Sequence, residues 1–469
     1  MAPQAPGETM GETSTTPSAF IKTLGPIGVV LLTFSALSPA LSVFVGGSSL
    51  LHMAGTGAAI AFIGGGLVAA VTALLYAELG AAFPRAGGLY PTVAGALGPT
   101  FAFPLVILGS LMTPAVVAFF ALGFAEYAHF LAPGLPQVPL AIAGIALTAA
   151  VALLRIRVGA LITGVFLAIE MAAILLLAGV AALHPVRGLG ELVIHPVMLI
   201  GGALTSTPPA VLALAVVSGA WTTAGASWAM YFGEEMQGAR SSIGRLIAWI
   251  GFLAAVMIAA PMVLMLMSAK DIPGMLASAA PIAFYLEHTG GRLVADLVSW
   301  GVVLAAFNAL IAVVLAVSRM VYATGRDQVW PAPVNRVLGS LHPRLNTPVV
   351  ATLVIAALSA AACFLGQRTL QILLAGDVFS IFLLSAAVLV GRRQSRTGAD
   401  YGSPFFPLTP IMVIASGVVF SWATYLDKEA GRPSLIITTG LFVGALAYDA
   451  WRRRSGRQWR MQALEDEAS

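Results

Sequence analysis

The feature that most constrains this chain is an apolar run over residues 24–51 with a proline, Pro39, in its middle. The run is longer than the roughly 20 residues a helix needs to cross bilayer hydrocarbon. Proline removes a backbone donor and clashes with the carbonyl one turn earlier. It also pushes the preceding residue, Ser38, out of helical geometry. Ser35, Ser38 and Ser42 surround it and can serve the freed backbone groups locally. Residues 33–42 therefore read as a helix interrupted near the bilayer midplane, with a plain proline kink as the alternative. Irregular backbone at that depth is tolerated only inside protein or beside a water-filled cavity. Interrupted helices of this kind form the central sites of many secondary transporters.

The rest of the chain is equally apolar: 59% of its 469 residues are hydrophobic and 9% are charged, against roughly 25% charged in a soluble domain. Twelve apolar segments predict an all-α polytopic membrane protein with 12 transmembrane helices: 24–51, 57–83, 100–131, 137–154, 158–182, 210–233, 243–268, 293–325, 348–366, 369–391, 405–426 and 433–451. With the N-terminus placed inside and sides alternating, eighteen of the 24 Lys and Arg residues fall on the inner side. The six outside are Arg187, Lys270, Arg292, Arg368, Lys428 and Arg432. Cytoplasmic loops retain positive charge, so the split supports both the helix count and the orientation. The pI of about 9.4 does not point to nucleic acid, because the basic residues are spread singly over short loops. Residues 1–19 have no basic stretch followed by a short apolar core, so they read as a disordered cytoplasmic tail and not a cleaved signal peptide. The lone cysteine, Cys363, allows no internal disulfide and reads as a small buried hydrophobe.

The longest early connection, 184–209, divides the chain after five helices. Beyond it, residues 217–226 combine two glycines, Gly219 and Gly225, with Ser218, Thr222 and Thr223. Glycine weakens helix continuity, so the sixth segment also reads as broken. The alternative for these glycines is close helix packing. An odd number of crossings makes the second unit enter from the opposite side, which predicts a 5+5 inverted repeat with broken helices 1 and 6 facing each other. The expected organisation is a tail (1–19), a first repeat (20–183), an extracytoplasmic connection (184–209), a second repeat (210–393), two additional C-terminal helices (394–452) and a cytoplasmic tail (453–469).

Three stretches carry a resemblance. Residues 76–90 read YAELGAAFPRAGGLY, with Glu78 and Arg85. Residues 232–236 read FGEEM, with Glu234 and Glu235, followed by Arg240 and Arg245. Residues 318–327 read SRMVYATGRD, with Arg319, followed by Thr347 and Pro348. In this order they resemble the signatures of the amino acid–polyamine–organocation (APC) permease superfamily, and residues 38–42 are similar to the helix 1 break of one bacterial branch. The resemblance implies a transporter of an amino acid or related amine in a bacterial cytoplasmic membrane, working by alternating access with both termini cytoplasmic. Proton-coupled symport is the expected mode; exchange and polyamine uptake are the alternatives. No cofactor or metal is implied, and the oligomeric state is left open.

The resemblance places the substrate between helices 1, 3, 6, 8 and 10. Half-helix ends offer free N–H groups to a carboxylate and free carbonyls to an ammonium. Ser35, Ala36, Ser38 and Ala40 are the candidate carboxylate contacts. Ser218, Gly219, Ala220 and Trp221 are the candidates for the amino group, with Trp221 as lid, cation–π partner or simple core packing. Ionisable residues inside apolar runs are functional suspects. Glu170, mid-way along the fifth segment among apolar neighbours, is the candidate proton-coupling residue, because loss of water disfavours its charged form. The rival is a neutral structural carboxyl. Glu78, Arg85, Glu234, Glu235 and Arg319 form a candidate inner gate, or equally a static brace. Glu126 reads as interfacial and Asp377 as a residue of the outer cavity. The eighth segment, with Ser318 at its end, offers few oxygens, which weighs against a sodium site.

A membrane-embedded enzyme is the second class. The six histidines lie near segment ends or in loops, and no metalloprotease pair, nucleophile elbow or phosphate loop appears. One cysteine excludes a thiolate metal cluster. A passive channel, the third class, needs a polar path or repeated filter, whereas two isolated breaks suggest one enclosed site.

Overall fold

A computed structural model describes residues 20–131, 134–375 and 377–455. The 1–19 tail and residues 456–469 of the second tail lie outside the described residues; Arg453 and Arg454 are still helical. Among the described residues, nine helical stretches are long and apolar enough to cross a membrane, and two shorter apolar helices, Gln137–Ala152 and Val349–Leu365, accompany them. The first stretch, Pro26–Ala82, has 57 residues, more than twice what one crossing requires. Its turn-over point is a 3₁₀ turn, Gly55–Gly57, ahead of the helix Ala58–Ala82. Gly55 has φ 59°, and a Cβ there would stand 2.0 Å from the Val197 carbonyl oxygen.

That carbonyl belongs to a feature the sequence reading treats as plain connection. Within 184–209 the chain forms a short helix, Leu189–Ile194, and a hairpin of β1 (Val197–Ile200) and β2 (Ala203–Ser206), paired Val197↔Ser206 to Ile200↔Ala203. Gly201 and Gly202, with φ 59° and 84°, make the tight two-residue turn that left-handed geometry requires. Thr56 and Thr207 sew the hairpin onto the turn: Val197 N–H donates to Thr56 Oγ1 at 2.8 Å, and Thr207 Oγ1 donates to the Ala54 carbonyl at 3.1 Å.

The axis of the bundle is Arg292–Arg326, 89% of whose most apolar stretch is buried. A helix apolar on all sides belongs in the middle of a core. It packs against Pro26–Leu37, Pro99–Leu131, Ile156–Ala182 and Val349–Ala362. A second group pairs Ala58–Ala82 with Ala239–Ser268 and Pro209–Thr223. Here glycine is used for close approach: a Cβ on Gly65 would stand 2.3 Å from the Ala220 nitrogen, and one on Gly219 2.2 Å from the Ala61 oxygen. Gly219 is thus a packing glycine. Cys363 is buried, and Glu126 is exposed.

The Gly65 crossing gives a direct test. Gly65→Val should force the two backbones apart and lower stability by about 1–3 kcal/mol, seen as a fall in the melting temperature of the purified protein. Gly123→Val, where a Cβ meets nothing within 4 Å, should leave it nearly unchanged.

Candidate functional site

The helix Pro26–Leu37 ends at Ser38, whose φ of 47° and ψ of 82° are left-handed, an uncommon conformation for a residue with a side chain. Helix restarts at Pro39, where the missing N–H is no loss. The next N–H, on Ala40, has no partner within its own helix. It donates to Glu170 Oε1 at 2.8 Å, and Ser38 Oγ donates to the same oxygen at 2.8 Å. Asn308 Nδ2, from the axial helix, donates to Glu170 Oε2 at 3.4 Å. All three side chains are buried. A carboxylate carried by another helix thus caps the second half of the first one, where the half-helix dipole favours negative charge.

The sequence reading offers the backbone of these residues to a substrate carboxylate. The Ala40 N–H and the Ser38 hydroxyl are engaged by the protein's own carboxyl, which is tethered beside them. Ser35 Oγ donates to the Thr163 carbonyl at 3.3 Å, and Ala36 is buried in the core.

The sixth segment is broken at the far end of the expected stretch 217–226, at its second glycine and not its first. Helix Pro209–Thr223 runs without interruption through Ser218, Gly219, Ala220 and Trp221, gives way at Ala224 and Gly225, and resumes as a 3₁₀ stretch, Ala226–Glu235. The carbonyls predicted to hold an amino group already have donors. Ser218 and Gly219 accept from Thr222 Oγ1 and Thr223 Oγ1 at 2.8 Å each, and Ala220 and Trp221 accept from the Ala224 N–H at 3.0 and 3.2 Å. Threonine hydroxyls bonding back one turn tend to bend a helix, and the break follows directly after Thr222 and Thr223. The two breaks nevertheless meet. Ser42 Oγ donates to the Thr222 carbonyl at 2.7 Å, and a Cβ on Gly225 would stand 2.8 Å from the Leu37 side chain.

Two cavities of about 360 and 220 Å³ lie beside this second break, and Trp221, Asp377 and Ser380 line both. Trp221, 54% exposed, is a cavity wall and not core. Asp377 marks a third interruption, between helices Gly366–Ala375 and Phe379–Arg393. Its two oxygens accept from Ser380 Oγ at 2.8 Å, and Oδ1 also from the Ser380 N–H at 3.4 Å.

At the arginine-rich end the expected gate residues each find a partner. Arg319 forms a two-pronged bond to Glu235, at 3.0 and 3.1 Å, with both side chains buried. Phe20 and Phe232 flank its guanidinium at 5.8 and 5.6 Å. Glu234 binds Arg326 and accepts from the Ala86 N–H at 3.0 Å. Glu78 pairs with Arg392 and not with Arg85, and also accepts from Thr397 Oγ1, the Ser403 N–H and Ser403 Oγ at 2.9, 2.8 and 2.7 Å. Arg85 sits in the turn after the second segment, its N–H donating to the Phe83 carbonyl at 2.8 Å. Arg326 and Tyr90 hold Asp327 between them, at 3.0 and 2.9 Å. Burial, and the Asp327 carboxylate, push the Tyr90 phenol well above its ordinary range, so it stays a neutral donor.

The profile of a family described as amino acid permease matches residues 24–446. The chain belongs to the amino acid permease family. It is therefore a multi-pass membrane transporter of the APC superfamily and not an enzyme. The branched-chain amino acid permease of Lactococcus lactis subsp. cremoris is 27% identical over 87% of this chain and 90% of that protein. The methylthioribose transporter of Bacillus subtilis is 25% identical over 93% of each chain. The human Asc-type amino acid transporter 1 is 27% identical over 86% of this chain and 78% of that protein.

Sequence reasoning missed several residues of this permease's polar clusters: Asn308, Arg326, Asp327, Arg392, Thr397 and Ser403. Asn308 had a signal, as a lone amide in a long apolar run. The partners of Glu78 had none, since 314 residues separate Glu78 from Arg392.

Glu235→Gln should leave Arg319 charged, buried and half-bonded. The expected loss is about 3–5 kcal/mol, read as a large fall in melting temperature, while Arg344→Ala on the exposed surface should change little.

Proposed function

We propose that this permease is a secondary active transporter that moves an amino acid or related amine by alternating access, coupled to a proton at Glu170. In this reading it crosses a bacterial cytoplasmic membrane twelve times, as two five-helix units of opposite orientation followed by two further helices. Both termini are cytoplasmic. The charge asymmetry of the loops supports the orientation. The paired interruptions near Ser38 and Gly225, in contact with each other, support the inverted repeat. The names of two relatives, a branched-chain amino acid permease and an Asc-type amino acid transporter, support the substrate class.

The observation that carries the coupling is the cap on the first helix. Glu170 bridges three helices through Ala40, Ser38 and Asn308. Beside it, Asn308 Oδ1 is buried without a hydrogen-bond partner. An asparagine amide turned end for end is nearly isosteric. A proton on Glu170 Oε2 would give that orphan acceptor its donor once the amide turns over. The charged form satisfies the half-helix; the protonated form satisfies Asn308 and weakens the hold on Ala40. Proton arrival and movement of the half-helix are thereby one event.

Proteoliposomes separate the alternatives. Wild-type protein should concentrate substrate under an inward proton gradient and should exchange labelled for unlabelled substrate without one. Glu170→Gln retains an acceptor for Ala40 but holds no exchangeable charge. It should keep exchange within a few-fold and lose concentrative uptake. Undiminished uptake by Glu170→Gln would remove the coupling role. Uptake that needs substrate on the opposite side in the wild type would make the protein an exchanger.

A further inference from the structure

We propose that Asp377 is an ammonium-binding subsite and that the preferred cargo is an organic amine cation without a carboxylate; this rests on the transporter reading above. Asp377 lines both cavities, at a break in its own helix, and among the described residues its two oxygens accept only from Ser380. A carboxylate has about four lone-pair sites, so Ser380 leaves part of it open toward the cavities. Among the described residues no basic side chain pairs with it, and no Lys, Arg or His lines either cavity. An uncompensated carboxylate at membrane depth marks a cation's place.

The walls suit the same guest. Trp221 and Tyr76 line the larger cavity; Trp221, Trp228 and Tyr231 line the smaller. Trp228 and Tyr231 stand with ring centroids 5.3 Å apart. Aromatic faces beside a carboxylate form a receptor for an ammonium group, which the ring quadrupole attracts. The same surroundings are poor for a carboxylate. The half-helix donors that could receive one are held by Glu170, and among the described residues no Lys, Arg or His lines either cavity to pair with it. A zwitterion therefore binds less well than the amine obtained by removing its carboxyl group.

The test compares isoamylamine with leucine, and phenethylamine with phenylalanine, together with the N-acetyl derivatives of both amines. Binding is read by thermal shift and transport by exchange in proteoliposomes, for wild type, Asp377→Asn and Trp221→Leu. At least one amine should bind the wild type tenfold or more tightly than its parent amino acid and its N-acetyl derivative. Asp377→Asn should lose tenfold or more of that affinity, and Trp221→Leu a smaller part. Should Asp377→Asn fail to fold, the wild-type comparison still decides, because an N-acetyl derivative that competes as well as its amine overturns the proposal. An amino acid that exchanges equally through wild type and Asp377→Asn, and outcompetes its amine, overturns the subsite and leaves the transport reading standing. A wild-type protein that binds and exchanges none of these compounds overturns both.

Discussion

The fold turns on a hydrogen bond that no single helix can make for itself. Where Pro39 interrupts the first helix, the N–H of Ala40 is left without a partner in a region that supplies no water. Glu170 fills that place from another helix, with Ser38 and Asn308 as its other donors. An orphaned backbone donor in hydrocarbon costs several kcal/mol, of order 2–7, so the cap is what allows the interruption to exist at all. Because the cap is a side chain of the fifth segment, the geometry of the first helix depends on the placement of the fifth.

From that point the two interrupted helices lean on each other. Ser42 reaches the Thr222 carbonyl, and Gly225 gives room to Leu37. The sixth helix is in turn pressed against the second at a backbone-to-backbone crossing through Gly65 and Gly219. Toward the arginine-rich end, Leu24 forms a short parallel bridge with Met236, its N–H donating to the Glu235 carbonyl at 2.9 Å and its own carbonyl accepting from the Gln237 N–H at 2.8 Å. Phe20 packs on Tyr322 with centroids 4.7 Å apart, beside the Arg319–Glu235 pair. The segment that enters the first helix is thus strapped to the end of the sixth and to the axial helix. Leu24 is bonded to the backbone of Glu235, whose side chain forms the buried ion pair with Arg319.

Much of this was legible in the residues. The apolar segments are helical, and the proline break falls at Ser38. Glu170 was singled out because a lone acid among apolar neighbours must have a partner or a task. The three acidic residues of the arginine-rich end were named before their partners were known. What failed was pairing and placement. Glu78 pairs with Arg392, a basic group 314 residues away that no local spacing singles out. The sixth helix continues past Gly219 because the second helix leaves no room there for a kink. Asp377 reads from sequence as a residue of the outer cavity, but a lone acid near a glycine does not reveal that it lines two cavities beside the second break.

The sequence by itself determined the solvent, the helices and the positions of charge: composition and apolar run length settle those locally, since every apolar stretch must bury itself and every charge must be accounted for. Only the tertiary structure decided which carboxyl serves which donor. That choice depends on distances between helices hundreds of residues apart, and it is what fills the half-helix with Glu170 and leaves Asp377 facing open space.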